Sequence, residues 1–328
     1  ILFDTGIRQF FCGPESFTPD HNYLMGKAPN VKNLFIGCGF NSLGILSGGG
    51  AGHVLSRWMT DGIQPMDIWD VDIRRIPQCY NNKSFIVDRT SESLGIAYQM
   101  HWPNRQWETG RNQKKSILHT KLEQLGAVFG QSAGWERANW FTHSDQKAEY
   151  KYDFFKQNWF ENNKKEHEAV REHVGIFDQS SFSKFLIQGD DSLKVLNQLA
   201  TANLDKPVGK VVYTQFLNKL GGVEADLTIT RLSETEFFLV TAAFTATHVF
   251  SWIKEKIEQG QFCVITDVSG AYSMLNIQGP KSRELISSVT DPTLMSNELF
   301  PFGTSKTLEI GYQTALAVRI SYTGELGY

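Results

Sequence analysis

Seven glycines fall within the sixteen residues from Gly37 to Gly52, and this run constrains the fold more than any other stretch of the chain. Glycine loses more backbone freedom on ordering than any other residue, so a folded chain that keeps so many needs positive φ there or close approach to something flat. A short apolar segment of strand character, Asn33 to Gly37, leads into Gly39-Phe40-Asn41-Ser42-Leu43-Gly44 and then Gly48-Gly49-Gly50-Ala51-Gly52. Val54, Leu55, Trp58 and Met59 next repeat on one helical face, and Gly62 is placed to stop the helix. The segment reads as strand, glycine loop, helix. Amides pointing out of such a loop and helix start carry partial positive charge, suited to an anion or an electron-rich cofactor edge. The spacing is not the G-x-G-x-x-G of a first dinucleotide-binding turn, so a tight strand-to-helix crossover stands as the alternative.

A chain of 328 residues exceeds what one hydrophobic core ordinarily serves, which predicts two domains. With 41% hydrophobic and 12% aromatic residues it has the apolar material to fold and no disordered signature. Thirty-two basic against 35 acidic residues give none of the positive footprint that nucleic-acid binding requires. Apolar runs such as Phe237 to Val240 and Leu34 to Ile36 are far shorter than a membrane span needs. Cys12, Cys38, Cys79 and Cys263 are scattered without a CxxC pair, which predicts neither a metal site nor a disulfide framework and leaves them as small buried hydrophobes. The chain opens on Ile1 rather than Met, in what reads as ordered sequence, and ends at Tyr328 without a tail. It is expected to be a piece of a longer protein, cut at both ends.

Between Asp67 and about Trp140 charges and amides rise, and Gly110-Arg111-Asn112-Gln113-Lys114-Lys115 reads as a solvated connection. Beyond Glu136 short strands alternate with short amphipathic helices, an α+β pattern. Asp190-Asp191 is placed to cap a helix carrying Leu193, Leu196, Leu199 and Ala200. Thr245 or Thr247 starts another, with Val249, Phe250, Ile253 and Ile257 on one face and Gly260 after it. Pro280 suits the first turn of a third, carrying Leu285, Ile286 and Val289, and Phe237 to Val240 reads as a buried strand. His101, His143 and His167 sit in polar surroundings and read as surface residues.

Gly13-Pro14-Glu15-Ser16-Phe17-Thr18-Pro19-Asp20, Leu24-Met25-Gly26 and Phe35-Ile36-Gly37-Cys38-Gly39-Phe40-Asn41-Ser42 with Gly48-Gly49-Gly50 resemble the end of the flavin domain in the family of sarcosine and dimethylglycine dehydrogenases. Gly134-Trp135-Glu136-Arg137 with Trp140-Phe141 matches the same family where its two halves meet, and reads as an interdomain packing element. The resemblance implies that Gly39, Phe40, Asn41, Ser42, Gly44 and Ile45 lie along the isoalloxazine ring of FAD, with the covalent flavin attachment upstream of Ile1. From Val174 onward the chain resembles the aminomethyltransferase of the glycine cleavage system, through Gly175-Ile176-Phe177-Asp178, Tyr213-Thr214, Leu217-Asn218, Gly221-Gly222-Val223, Asp226-Leu227-Thr228 and Tyr322-Thr323-Gly324-Glu325-Leu326-Gly327.

That second resemblance implies a tetrahydrofolate site in which Asp226 is the catalytic carboxylate, Glu325 pairs with the pterin ring and Tyr213 packs against folate or its tail. Aminomethyltransferases usually show two adjacent acids where this chain has Ala225-Asp226. The fold expected is α+β. Residues 1–68 form the C-terminal part of a D-amino-acid-oxidase-like FAD domain, 69–135 a bridging central region, and 136–328 a truncated folate-binding domain of the aminomethyltransferase (GcvT) type. The activity implied is oxidative demethylation of sarcosine to glycine, with the one-carbon unit passed to tetrahydrofolate as 5,10-methylenetetrahydrofolate. Dimethylglycine as substrate is the near alternative, and a non-catalytic regulatory subunit of pyruvate dehydrogenase phosphatase the alternative of another class. The resemblance further implies electron-transferring flavoprotein as electron acceptor and the mitochondrial matrix as compartment, or the cytoplasm in a bacterium.

Overall fold

The computed structural model describes residues 5–143 and 145–328, so the order expected from Ile1 lies outside the described residues. The chain divides into two compact units, Ile1–Ile73 with Asn82–Gln99, and Arg74–Asn81 with Met100–Tyr328. Both mix helices and strands, the α+β class expected. Among the described residues no helix is long and apolar enough to cross a membrane.

In the first unit β1 (Leu24–Lys27) pairs antiparallel with β2 (Phe35–Cys38), and α1 (Gly44–Asp61) follows. Trp58 and Ala51 of α1 are buried with Met25 and Ile68, and Phe35 meets the Trp58 ring edge-on at 5.6 Å. Gly62 ends the helix as expected, its amide donating to Trp58 O. Two expectations are corrected here. The helix begins at Gly44, so Gly48, Gly49, Gly50 and Gly52 lie inside it and the loop proper is only Gly39 to Leu43. Each helical glycine costs roughly 1 kcal/mol against alanine, and packing of Val54, Leu55 and Trp58 against the strand pair outweighs that cost. Met59, expected on the same face, is turned outward. The unit closes with α2 (Lys83–Ile96), capped by Asn82, whose side chain accepts from Phe85 N at 2.8 Å.

The first α-helix of the second unit is α3 (His119–Gln124), followed by the antiparallel hairpin β3 (Ala127–Ser132) and β4 (Trp135–Phe141). The stretch read as a solvated connection is laid against this hairpin instead. Lys114 N donates to Gly134 O, Glu136 N donates to Lys114 O, and the Lys114 amine stands over the Trp135 ring. Arg111 also ion-pairs with Glu136, whose carboxylate is buried. The interdomain element expected at Trp135 to Phe141 packs within this unit. Trp140, 1% exposed, stacks on Trp159 and meets Tyr150 edge-on. Next come α4 (Phe160–Glu172), β5 (Gly175–Asp178), β6 (Ser183–Gln188), α5 (Ser192–Leu199), β7 (Val211–Leu217), β8 (Val223–Arg231), β9 (Glu236–Thr241), α6 (Ala246–Lys256) and β10 (Val264–Asp267).

These strands form an antiparallel sheet in the order β10-β6-β9-β8-β7. Period-two alternation sends Phe185, Ile187, Phe216, Ala225, Leu227, Ile229, Phe237 and Leu239 to one face. There they meet Val195, Leu196 and Leu199 of α5 and Val249 and Ile253 of α6. The stripes read for both helices are the buried ones. Asp191 takes the cap position of α5 but its carboxylate accepts from Phe262 N across the loop, not from the helix. The chain ends with β11 (Leu275–Gln278) paired to β5, α7 (Ser282–Ser287), and the hairpin β12 (Thr304–Ile310) and β13 (Gln313–Arg319). Ile286 of α7 is in a second core with Phe300, Leu308 and Tyr328, whereas Val289 is exposed. Cys263 is buried as expected, but Cys12 and Cys38 are exposed. His101, His143 and His167 are exposed, as read.

Gly189, after β6, has φ +132°, and a Cβ there would stand 2.1 Å from Phe262 O, a main-chain atom fixed by its hydrogen bond from Asp191 N. Gly189→Ala is therefore expected to destabilise this unit by roughly 3 kcal/mol, combining left-handed strain with a backbone clash. Denaturant titration of the two proteins measures the difference.

Candidate functional site

On the sheet face opposite α5 and α6, Asp226 of β8 is exposed, because Ala225 and Leu227 on either side of it point into the core. Its main chain is fixed by ladder pairing with Gln215 and by the Thr241 hydroxyl, which donates to Asp226 O at 2.9 Å. Tyr213 of β7 is on the same face, 61% exposed, and its hydroxyl donates to Asp226 Oδ2 at 2.6 Å. That bond to the carboxylate raises the Tyr213 phenol above its ordinary pKa, so the tyrosine stays a donor. Oδ2 is thus occupied and Oδ1 is the oxygen left to face a ligand. Tyr322, 98% exposed, is within electrostatic reach of Tyr213 and was not singled out as a site residue from sequence.

Glu325 lies on a turn of its own. The Thr323 hydroxyl donates to its Oε2, joined by Thr323 N at 3.2 Å and Ser321 Oγ at 3.4 Å. The Thr323 hydroxyl is the main cause holding the Glu325 carboxyl below its ordinary range. The turn is tied to β11: Gly279 N donates to Leu326 O, and Ile277 and Tyr328 exchange backbone hydrogen bonds. The bonds from Thr323 and Ser321 all use Oε2, which turns Oε1 toward a donor pair on a flat ring. Among the described hydrogen bonds none joins Glu325 directly to the Tyr213–Asp226 pair.

A second acid near Asp226, Glu224, was missed by sequence reading. It is partly buried on the helix side and bonded to His248 and Asn218. Glutamate two residues after a glycine pair, with histidine near the start of a later helix, is too common a pattern to have flagged it.

In the first unit Gly39, Asn41 and Ser42 all have positive φ, at 67°, 49° and 64°. Asn41 is 4% exposed: its Oδ1 accepts from Thr18 N at 2.8 Å and its amide donates to Gly39 O at 2.8 Å. Its side chain therefore braces the loop, and what Asn41 offers a ligand is main chain. Phe40 stacks on Tyr23 at 4.7 Å, and Ser42 Oγ donates to Glu15. A Cβ on Gly39 would stand 2.6 Å from Thr18 Cγ2, which explains the glycine. No side chain caps α1 at Leu43, so its first-turn amides at Gly44 and Ile45 are not taken up by a capping group. Ile45 is fully exposed, and a cleft of about 570 Å³ opens beside the first turns of α1, between Leu46, Gly50 and Val54 on one side and Trp69 on the other. Uncapped amides beside exposed apolar surface fit a flat, electron-rich ring.

Comparison with known proteins finds two adjoining family matches along the chain. The family model described as GCVT N-terminal domain matches residues 118–328, and that described as FAD dependent oxidoreductase central domain matches residues 61–116. The sequence is 41% identical over 327 residues to 4-methylaminobutanoate oxidase (formaldehyde-forming) of Paenarthrobacter nicotinovorans, covering 100% of this chain and 39% of that protein. It is 34% identical over 367 residues to mitochondrial sarcosine dehydrogenase of Mus musculus, covering 100% of this chain and 40% of the relative. The chain thus spans about two fifths of the curated relatives it matches. Among solved structures, the glycine cleavage system aminomethyltransferase T from Bartonella henselae aligns with a TM-score of 0.52 at 26% identity, over 65% of this chain and 52% of that one. Because the first family match takes in well over half of its residues, the chain belongs to the GCVT N-terminal domain family, here joined to an FAD dependent oxidoreductase central domain.

Proposed function

We propose that the chain is part of a flavin-dependent oxidase or dehydrogenase that demethylates an N-methylated amino acid and hands the one-carbon unit to tetrahydrofolate. The observation that carries this reading is the exposed Tyr213–Asp226 pair, a carboxylate held by one oxygen and open at the other, in a GCVT N-terminal domain. Bound FAD would supply the two-electron oxidation of the N-methyl carbon, giving an iminium. The loop Gly39, Phe40, Asn41, Ser42, Gly44 and Ile45 would hold its ring by main-chain contacts. Asp226 then stabilises the iminium and takes, at Oδ1, the proton released when one folate nitrogen attacks the methylene carbon, and it returns that proton to the departing amine as the second folate nitrogen closes on the same carbon and releases its own proton to solvent. Tyr213 fixes the Asp226 carboxylate, Glu325 pairs with the pterin, and the demethylated amine leaves. With sarcosine as donor the products are glycine and 5,10-methylenetetrahydrofolate. Electron-transferring flavoprotein as acceptor and the mitochondrial matrix as compartment belong to the same reading.

Sarcosine is the first substrate proposed. The 41% identity to an enzyme named for 4-methylaminobutanoate supports a second reading, in which the amine bears a longer chain. Anaerobic bleaching of the flavin absorbance band in the full-length protein separates them. Fastest bleaching by sarcosine is the expected result. Faster bleaching by 4-methylaminobutanoate or dimethylglycine reassigns the substrate, and no bleaching by any of the three overturns the enzymatic reading in favour of a regulatory protein.

A further inference from the structure

Glu224 is the extra residue of a β-bulge. Leu217 pairs with Val223 and Phe216 with Ala225, which leaves Glu224 without a cross-strand partner. Bulges break strict alternation and re-aim a side chain, and this one sends the carboxylate to the helix side of the sheet. There Oε2 meets Nε2 of His248, on α6, at 2.9 Å, and Oε1 accepts from Asn218 Nδ2 at 2.9 Å. Asn218 Oδ1 in turn accepts from Leu220 N and Gly222 N, so the hairpin turn and the bulge form one hydrogen-bonded unit. Burial works against the Glu224 charge, but the bonds from His248 and Asn218, with Coulombic help from His248 and the buried Arg74, outweigh it and hold the carboxyl below its ordinary range.

We propose that Glu224 is a positioning residue for Asp226. Two groups from two segments, His248 on α6 and Asn218 in the hairpin turn, meet the carboxylate with the bulge at this residue, and Arg74, ahead of α2, lies within Coulombic reach of it. Because side chains alternate along β8, a one-residue slip would put Leu227 on the Tyr213 face and turn Asp226 into the core. The Glu224–His248 hydrogen bond thus fixes which side chain faces the one-carbon unit, from the opposite side of the sheet. This role rests on the reading of Asp226 as the group that captures that unit.

The test uses the full-length flavoprotein, tetrahydrofolate and whichever amine bleaches the flavin, and measures free formaldehyde against folate-bound one-carbon product. Glu224→Ala is expected to lower capture on the order of tenfold to a hundredfold, as misplacement of a reacting group by about 1 Å does. Its flavin reduction rate and KM for the amine should stay unchanged. Glu224→Gln keeps an acceptor for Asn218 and can donate to neutral His248 Nε2, so it should retain most of the capture. His248→Phe, which keeps the ring beside Trp252, should shift capture in the same direction as Glu224→Ala and covers the case in which that variant does not fold. Unchanged capture in Glu224→Ala and His248→Phe, with Asp226→Ala losing it, overturns the positioning role alone. Unchanged capture in all three overturns the folate reading and the role with it. Parallel loss of flavin reduction in Glu224→Ala overturns the role by showing general damage.

Discussion

Replacing Asp226 with alanine in the full-length protein is expected to leave flavin reduction by the amine nearly intact and to release free formaldehyde in place of methylenetetrahydrofolate. The two half-reactions use different groups. Oxidation needs the amine and the flavin, whereas Asp226 is on the open face of a sheet in the second unit, with Oδ2 tied to Tyr213 and Oδ1 available. Removing the carboxylate takes away both electrostatic support for the iminium and the acceptor for the folate proton. General-base contributions alone run about a hundredfold to ten-thousandfold. An iminium that is not captured hydrolyses in water to formaldehyde and the demethylated amine. Folate-bound product therefore falls by at least about a hundredfold, and formaldehyde rises in step with flavin turnover. The core beneath is untouched because Asp226 is exposed, so the variant should fold. Loss of flavin reduction in Asp226→Ala would show that the carboxylate acts in oxidation rather than capture.

Local signals in the sequence were enough for the parts of the fold set by neighbours along the chain. The stripe Leu193, Leu196, Leu199 and the stripe Val249, Ile253 are spaced for helices that bury one face, and both helices cover the central sheet. Phe237 to Val240 reads as a strand because it is apolar, branched and short, and it became the middle strand β9. The motif residues Tyr213 and Asp226 are thirteen apart in sequence, and only the antiparallel register of β7 and β8 shows them to be hydrogen-bonded. What spacing could not show depends on partners far away. Glycine-rich sequence argued for a loop through Gly52, yet Trp58 packing on Phe35 and Met25 carried the helix back to Gly44. The bulge at Glu224 leaves no trace in composition, since any residue can be the extra one. Arg111 looked solvated because its neighbours Asn112, Gln113, Lys114 and Lys115 are polar, and its partner Glu136 is 25 residues on.

Arg111→Ala is expected to destabilise the second unit by about 3–5 kcal/mol, because it strands a buried carboxylate. Glu136 is 2% exposed at its side chain. Arg111 Nε donates to both carboxylate oxygens, at 3.0 and 3.1 Å, and Asn112 N donates to Oε1 at 2.6 Å. The guanidinium also donates to Trp107 O and Phe129 O, so one side chain ties the loop at Trp107 to β3 and, through the Glu136 carboxylate, to β4. Burial opposes the Glu136 charge, and the Arg111 and Asn112 bonds outweigh it and hold the carboxyl below its ordinary range. A carboxyl depressed in the folded state contributes stability above its ordinary value of 4.5, and that contribution is lost as pH falls through the lower folded value. Without Arg111 the balance reverses, since burial then raises Glu136. The gap between the two proteins should be widest near neutral pH and close as the solution is acidified and the stranded carboxyl takes a proton. Arg111→Met combined with Glu136→Gln removes both charges and keeps an acceptor for Asn112 N, and should recover much of the loss. Urea titration followed by tryptophan emission, with Trp135 and Trp140 on the same strand as Glu136, reads all three proteins. A loss in Arg111→Ala that is the same at pH 7 and pH 4, and that the double variant does not relieve, would mean the pair acts through packing of the arginine stem and not through its charge.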